Sequence, residues 1–151
     1  HIFIEETSPP KPNNYKIKGS TINFSVNMRV GVLLTQTVPD SGTRNGLIEK
    51  IDLVYNEDFT KGFIEFDFFN NGNLISECNG WVEFRDIDGL SIEKIHLGEI
   101  PKIYPLEKRN FKVEVPNDLI TGEYSALAVI DYGGTQLVAG EVIFRYENSD
   151  E

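Results

Sequence analysis

Residues 22–34 read Ile-Asn-Phe-Ser-Val-Asn-Met-Arg-Val-Gly-Val-Leu-Leu. Every even position in this stretch is apolar, whereas the odd positions, apart from Leu33, are polar or glycine. Because side chains alternate between the two faces of a strand, the pattern predicts a β-strand with a continuous apolar face. Only about 20 residues precede the stretch, fewer than an independently stable sheet needs. The apolar face therefore requires cover from a second sheet or from a partner.

The chain is predicted to hold a terminal hairpin followed by one complete domain. Residues 1–7 are predicted to form a short strand, 8–19 a loop rich in proline and asparagine, and 21–37 the long alternating strand. Pro39-Asp40-Ser41-Gly42 is typical of a turn or linker. The predicted division is a hairpin left from an upstream domain at 1–38, a linker at 39–43 and a β-sandwich at 44–148. We expect the chain to be a fragment of a longer protein.

Seven further segments have the composition of strands, and turn signals separate them. Their predicted ranges are 47–55, 61–69, 74–85, 90–97, 110–115, 123–132 and 136–146. A break is expected near Asn79-Gly80, and the prolines within 98–109 predict a crossing between sheets. Because short strands at this spacing occur without any helical periodicity, they predict an all-β fold, an antiparallel β-sandwich.

Two glycine-containing motifs refine this fold class. Tyr124 follows Gly122 at the start of a predicted strand, as in immunoglobulin-like sandwiches, where the tyrosine hydroxyl bonds to the backbone a few residues upstream. The alternative is an ordinary strand aromatic. Gly133-Gly134 is predicted to turn the hairpin between the last two strands. We therefore expect 44–148, and the upstream domain, to be immunoglobulin-like.

Composition narrows the range of partners. The chain has 14 basic and 24 acidic residues, a net charge of −10. This balance argues against binding to nucleic acid or to an anionic membrane surface, both of which select basic proteins. No apolar run approaches the roughly 18 residues of a membrane span, so membrane insertion is not expected. Cys78 is the single cysteine, which rules out an intrachain disulfide.

No catalytic residue, metal ligand or cofactor is predicted. Cys78 and His96 could form a thiolate nucleophile, but neither lies in a catalytic motif, so we expect a core or bulge cysteine and a surface histidine. Asp86-x-Asp88-Gly89 is similar to the start of a calcium loop but lacks the third ligand and the closing Glu. Ordinary turn chemistry is the favoured interpretation of those aspartates.

Trp81 has two possible positions. A tryptophan at this point of a sandwich is commonly buried, so a core position is the favoured prediction. The alternation places it opposite in phase to Val82 and Phe84, which would instead expose it. An exposed Trp81 beside Tyr104 or Tyr132 could stack on a sugar.

The order of these features resembles the two-domain periplasmic pilus chaperones and their immunoglobulin-like relatives in bacterial envelopes. In that family a long alternating strand ends the first domain, as residues 22–30 would here, and a short elbow like residues 39–42 leads to a second β-domain. The chain departs from the family at one position. A basic residue of the chaperone strand anchors the carboxylate of its client, but the alignment places Gly31 there and Arg29 two residues earlier.

The resemblance implies a non-enzymatic envelope protein, periplasmic or extracellular, that binds or assembles other proteins by β-strand pairing. The partner is expected to be another protein or a second copy of the chain. The strand edge and apolar face predicted to bind it comprise Ile22, Phe24, Val26, Met28, Arg29 and Val30. The alternative is a structural or adhesive surface module that recognises protein or carbohydrate.

Overall fold

The fold was analysed on a computed structural model, which divides the chain into two compact units, His1–Thr37 and Val38–Glu151. In the first unit the structure describes the backbone of residues 2–5, 13–17, 20–24 and 29–32, together with residue 36. In the second it describes residues 38, 40–59 and 61–147. Every regular secondary-structure element in these ranges is a β-strand.

The first unit contains four short strands in two antiparallel pairs. They are β1 (Ile2–Glu5), β2 (Asn13–Ile17), β3 (Ser20–Phe24) and β4 (Arg29–Val32). Strand β1 pairs with β4, and β2 pairs with β3. The register aligns Ile2 with Val32 and Ile4 with Val30.

Two predictions for this unit need correction. The predicted loop at 8–19 contains strand β2, because Tyr15 and Ile17 continue a strand-type alternation that the surrounding prolines and asparagines obscured. The predicted strand at 21–37 is described as two strands, β3 and β4, with different partners. Residues 25–28 and 33–35 of that stretch lie outside the described residues.

The second unit is a sandwich of seven strands. They are β5 (Leu47–Tyr55), β6 (Gly62–Phe69), β7 (Asn79–Asp86), β8 (Ser91–His96), β9 (Lys108–Glu114), β10 (Gly122–Asp131) and β11 (Val138–Tyr146). One sheet has the order β5-β6-β9 and the other β11-β10-β7-β8, and every pairing is antiparallel. The predicted all-β sandwich is confirmed, and the crossing predicted at 98–109 is observed at 97–107, since Lys108 and Arg109 already belong to β9.

The core lies between the two sheets and follows from the alternation of each strand. In β6 the even positions Ile64, Phe66 and Phe68 are at most 1% exposed, while the odd positions are only partly buried. Val82 and Phe84 of β7 and the alanines and Ile130 of β10 meet them from the other sheet. Phe66 also stacks on Phe111, with 5.2 Å between ring centroids.

A buried asparagine organises the connections at one end of the sandwich. Asn70 is fully buried, and its amide nitrogen donates to the carbonyls of Leu74 (2.9 Å) and Ile103 (3.0 Å). Its side-chain oxygen accepts the N–H of Gly72 (3.1 Å), and its carbonyl accepts the N–H of Leu106 (2.8 Å), which has a φ of 64°. The predicted turn at 70–73 is thus tied to the crossing segment, and each polar atom of the asparagine has a partner.

Tyr124 forms the predicted corner. Its side chain is 8% exposed, and its hydroxyl donates to the carbonyl of Ile120 at 2.9 Å. The ring packs beside Phe144, and a Cβ at Gly122 would make an ordinary contact of 3.4 Å with the Tyr124 ring. Gly133, with a φ of 76°, occupies the left-handed region in the predicted hairpin turn between β10 and β11.

Replacing Tyr124 with phenylalanine is expected to lower the free energy of unfolding by about 1–2 kcal/mol, because the Ile120 carbonyl loses its donor while the ring keeps its packing. Denaturant unfolding followed by the fluorescence of Trp81, the single tryptophan, measures this. The matched control is Tyr55→Phe, since Tyr55 is 43% exposed. Equal effects of the two substitutions would show that the corner hydrogen bond does not stabilise the sandwich.

Candidate functional site

The predicted partner-binding residues are divided among β3, β4 and the stretch between them. Ile22 and Phe24 lie in β3, opposite Tyr15 and Asn13 of β2. Arg29 and Val30 lie in β4, opposite Glu5 and Ile4. Val26 and Met28 fall outside the described residues. The structure therefore assigns four of the six residues to strands.

Each strand of the first unit has one neighbour among the described residues. Because the two sheets there contain two strands each, β3 and β4 each present one edge that no described strand covers. An uncovered edge offers a row of backbone donors and acceptors to another strand. Together β3 and β4 carry a single charged residue, Arg29, so little in their sequences discourages such pairing.

Two edge strands of the sandwich, by contrast, carry features that disfavour pairing with a further strand. Strand β8 has an irregular register around Ile92 and carries Glu93 and Lys94. Strand β9 carries Lys108, Arg109 and Lys112. Bulges and edge lysines are known devices against edge-to-edge pairing.

At the opposite side of the sandwich, the edges β5 and β11 close on each other. A Cβ placed on Gly140 of β11 would lie 3.0 Å from Ile48 of β5, which shows how closely the two edges approach. Neither edge is therefore open for strand addition along that side.

Cys78 is a core residue. It is 6% exposed, and burial, followed by the negative charge of Asp131, raises the pKa of its thiol to about 11. A thiol with that pKa stays protonated at neutral pH, whereas a nucleophilic cysteine needs the thiolate. His96 is exposed and pairs in register with Trp81. The prediction of a core cysteine and a surface histidine agrees with these positions.

The Asp86–Gly89 segment uses its first carboxylate to hold a turn. One Asp86 oxygen accepts the N–H groups of Asp88 (3.0 Å) and Leu90 (2.8 Å), and Gly89 has a φ of 79°. Within the residues that the structure describes, no group of three or more metal-ligating side chains occurs. These contacts are those of an ordinary aspartate turn.

Trp81 lies on the outer face of the four-stranded sheet, which corrects the favoured prediction of a core position. Its neighbours in the strand, Gly80 and Val82, are buried, while Trp81 is half-buried under the ammonium group of Lys94, 3.9 Å from the ring centroid. Because Trp81 alternates with the core residue Val82 along the strand, the sequence pattern had indicated this outward-facing position as the alternative. Its indole N–H is buried without a hydrogen-bond partner. Tyr132, the proposed companion for sugar stacking, is buried in the core.

A hydrogen bond and an ion pair to Glu107 connect the crossing segment to β9. The backbone N–H of Tyr104 donates to a Glu107 carboxylate oxygen at 2.8 Å, and the Arg109 guanidinium pairs with the other oxygen. The hydrogen bond from Tyr104 and then the pairing with Arg109 lower the pKa of Glu107 below its usual value. The ionised carboxylate therefore stabilises the fold.

We expect the Glu107→Gln chain to be less stable than the unaltered chain at neutral pH, and the difference to vanish in acid. A carboxyl group whose pKa is lower in the folded state contributes stability above its unfolded pKa and loses it as the pH falls through the folded pKa. Unfolding free energies of both chains, measured from neutral pH to about pH 3, test this. A difference independent of pH would contradict the electrostatic role.

Comparisons with known proteins support the fold. A scan against protein-family models finds no match, and a search of curated proteins finds none either. Among solved structures the chain is similar to the C-terminal domain of Wzt, with a TM-score of 0.55 and 15% identity over 73% of this chain and 80% of that chain.

Two enzymes match more weakly over a small part of their length. They are a β-glucuronidase from Parabacteroides merdae (TM-score 0.43, 18% identity, 65% of this chain and 13% of that chain) and a β-glucosidase from Kluyveromyces marxianus (TM-score 0.41, 18% identity, 72% of this chain and 14% of that chain). The resemblance inferred from the sequence is confirmed for the all-β architecture, whereas the solved structures named here are not pilus chaperones.

Proposed function

We propose that this chain is a non-enzymatic module that binds or assembles proteins by β-strand pairing through β3 and β4. The observation that carries the proposal is the pairing of these strands. Strand β3 has β2 as its one described neighbour, and β4 has β1. The apolar alternation runs through residues 22–34, which is longer than either of these pairings. Two-stranded ribbons are marginal on their own, so a further strand would stabilise them.

The contrast with the sandwich supports the same assignment. Its free edges carry lysines and an irregular register, as expected for edges that must stay unpaired, whereas β3 and β4 lack these features. Main-chain hydrogen bonds would then supply affinity, and the alternate apolar side chains would supply specificity.

The finer proposal is a pilus-chaperone-like protein of the bacterial envelope, periplasmic or extracellular. It rests on the order of the alternating strand, elbow and second β-domain in the sequence. Gly31, at the position of the chaperones' basic residue, indicates a client held differently from a pilin carboxylate. In the described residues no helix is long and apolar enough to cross a membrane.

Amide hydrogen exchange at low and high chain concentration tests the strand-pairing proposal. A second strand on the open edge would protect backbone N–H groups that are otherwise exposed to water. We expect slower exchange at residues 20–24 and 29–32 in concentrated samples, and unchanged exchange along β8. Unchanged exchange in β3 and β4, or protection of β8 instead, would contradict the proposal.

A second candidate function, recognition of carbohydrate, is favoured by the outer-face position of Trp81, whose indole ring is only partly buried. Lys94 already occupies the ring face, so a sugar would have to displace it. Titration of the single tryptophan's fluorescence with neutral oligosaccharides tests this function. A saturable change that Lys94→Ala strengthens would support it, and no change in either chain would dismiss it.

A further inference from the structure

Exposed apolar side chains concentrate at one end of the sandwich. The β5–β6 turn, the β7–β8 turn and the β9–β10 connection all lie at this end, opposite the end at which β5 begins. This apolar end comprises Tyr55 (43% exposed), Phe59 (77%), Ile87 (72%), Leu90 (70%) and Ile120 (74%). Single exposed apolar residues are common on protein surfaces, whereas several of them on turns at the same end of a domain are typical of an interaction site.

The turns that carry these residues are firmly built. In the β5–β6 turn, the backbone N–H of Asn56 donates to the Lys61 carbonyl and the Asn56 carbonyl accepts the N–H of Phe59, both at 3.0 Å. The side-chain oxygen of Asn56 accepts the N–H of Lys61. Phe59 has a φ of 55°, a conformation that bulky residues adopt rarely, and its ring lies 6.2 Å from that of Tyr55. The β7–β8 turn is held by Asp86 as described above. A preorganised surface loses less entropy when a partner binds.

A groove adjoins this end on the outer side of the four-stranded sheet. It has a volume of about 220 Å³ and lies beside two exposed isoleucines, Ile87 and Ile143. Three carboxylates line it, from Asp86, Glu123 and Glu141, and no lysine or arginine is among its lining residues. Arg145 pairs in register with Glu123, and Arg85 interacts electrostatically with Glu141, so the walls of the groove are apolar and its surroundings hold three carboxylates against two guanidinium groups.

We propose that the apolar end and this groove bind a basic segment of another protein that alternates apolar and cationic side chains. The isoleucines would receive its apolar side chains, and the carboxylates would receive its lysines or arginines. A second copy of the chain fits this surface poorly, since both copies would bring the same carboxylates and a net charge of −10. An anionic lipid surface is repelled for the same reason.

The test uses the full chain and three synthetic peptides of equal length, in which valine alternates with lysine, serine with lysine, and valine with glutamate. Fluorescence anisotropy of labelled peptides gives affinities, and amide chemical shifts of the ¹⁵N-labelled chain locate the site. The lysine–valine peptide should bind at the groove, at least tenfold more tightly than either other peptide. Absence of binding, shifts elsewhere, or equal binding of the lysine–serine peptide would overturn the proposal.

Paired variants separate the two contributions. Ile87→Ser with Ile143→Ser, and Glu123→Gln with Glu141→Gln, should each weaken binding of the lysine–valine peptide at least tenfold. The matched control, Leu106→Ser with Leu137→Ser, removes exposed leucines from the other end and should leave binding unchanged. Tryptophan-fluorescence unfolding checks that every variant is folded. Equal loss in the control would overturn the assignment to this end.

Discussion

Replacing Phe24 and Val26 with aspartate is expected to weaken self-association or partner binding on the order of 100-fold, while the sandwich stays folded. The two positions belong to the apolar alternation of residues 22–34, and β3 ends at Phe24. A carboxylate at each position would have to be desolvated when another strand or sheet covers that face, which costs far more than the original apolar contact contributed.

The matched control is Asn23→Asp with Ser25→Asp. These positions alternate with the first pair in the same stretch and are already polar. The control should retain most of the association, because its carboxylates stay on the polar side of the alternation. Fluorescence of Trp81 should report the same unfolding midpoint in both variants. Unchanged association of the Phe24→Asp and Val26→Asp chain would contradict pairing through this face.

Replacing Phe66 with alanine is expected to lower the free energy of unfolding of the sandwich by about 3–5 kcal/mol. Phe66 is 1% exposed, lies at the centre of β6, and stacks on Phe111. Deletion of its ring leaves a cavity between the two sheets that neighbouring side chains fill only in part. Because domains of this size are stable by only about 5–15 kcal/mol, the loss is a large share of the total.

Phe59→Ala is the control for this substitution. Phe59 is 77% exposed, so its removal should change the free energy of unfolding by less than about 0.5 kcal/mol. Denaturant unfolding followed by Trp81 fluorescence compares the two variants in the same unit of the chain. Similar losses in both would mean that the core does not lie between the sheets as described.

The sandwich could be predicted from the sequence because its strands are half-buried. In β6 and β10 one face packs on the core and the other faces out, so burial leaves a period of two in the residues. The predicted range of β5 matches the structure at both ends. Tyr124 could be predicted because its corner depends on a local hydrogen bond across four residues.

Features that depend on distant residues could not be predicted in this way. Strand β2 was missed because prolines and asparagines mask a short alternation that only its pairing with β3 reveals. Ser76 and Ile103 form an isolated bridge within segments predicted as strand and crossing, and it depends on contacts distant in sequence. The groove between Ile87 and Ile143 likewise unites the β7–β8 turn with β11.

Of the candidate sites, one could be predicted from the sequence and the other could not. The apolar alternation of residues 22–34 is visible in the sequence, and its role in binding stays a prediction. Phe59, Ile87 and Ile120 lie outside the strands and carry no periodic signal, since an apolar residue in a turn looks the same in sequence whether it is covered or exposed. The structure was needed to show that their turns lie at the same end of the sandwich.

Light scattering of the full chain across a wide range of concentrations tests the central claim most directly. An open strand edge with an apolar alternation predicts a mass that rises with concentration to at least twice the 17.1 kDa of the chain, and a return to the single-chain mass in the Phe24→Asp and Val26→Asp variant. A mass of one chain at every concentration would contradict a pairing-competent edge and favour the structural or adhesive module.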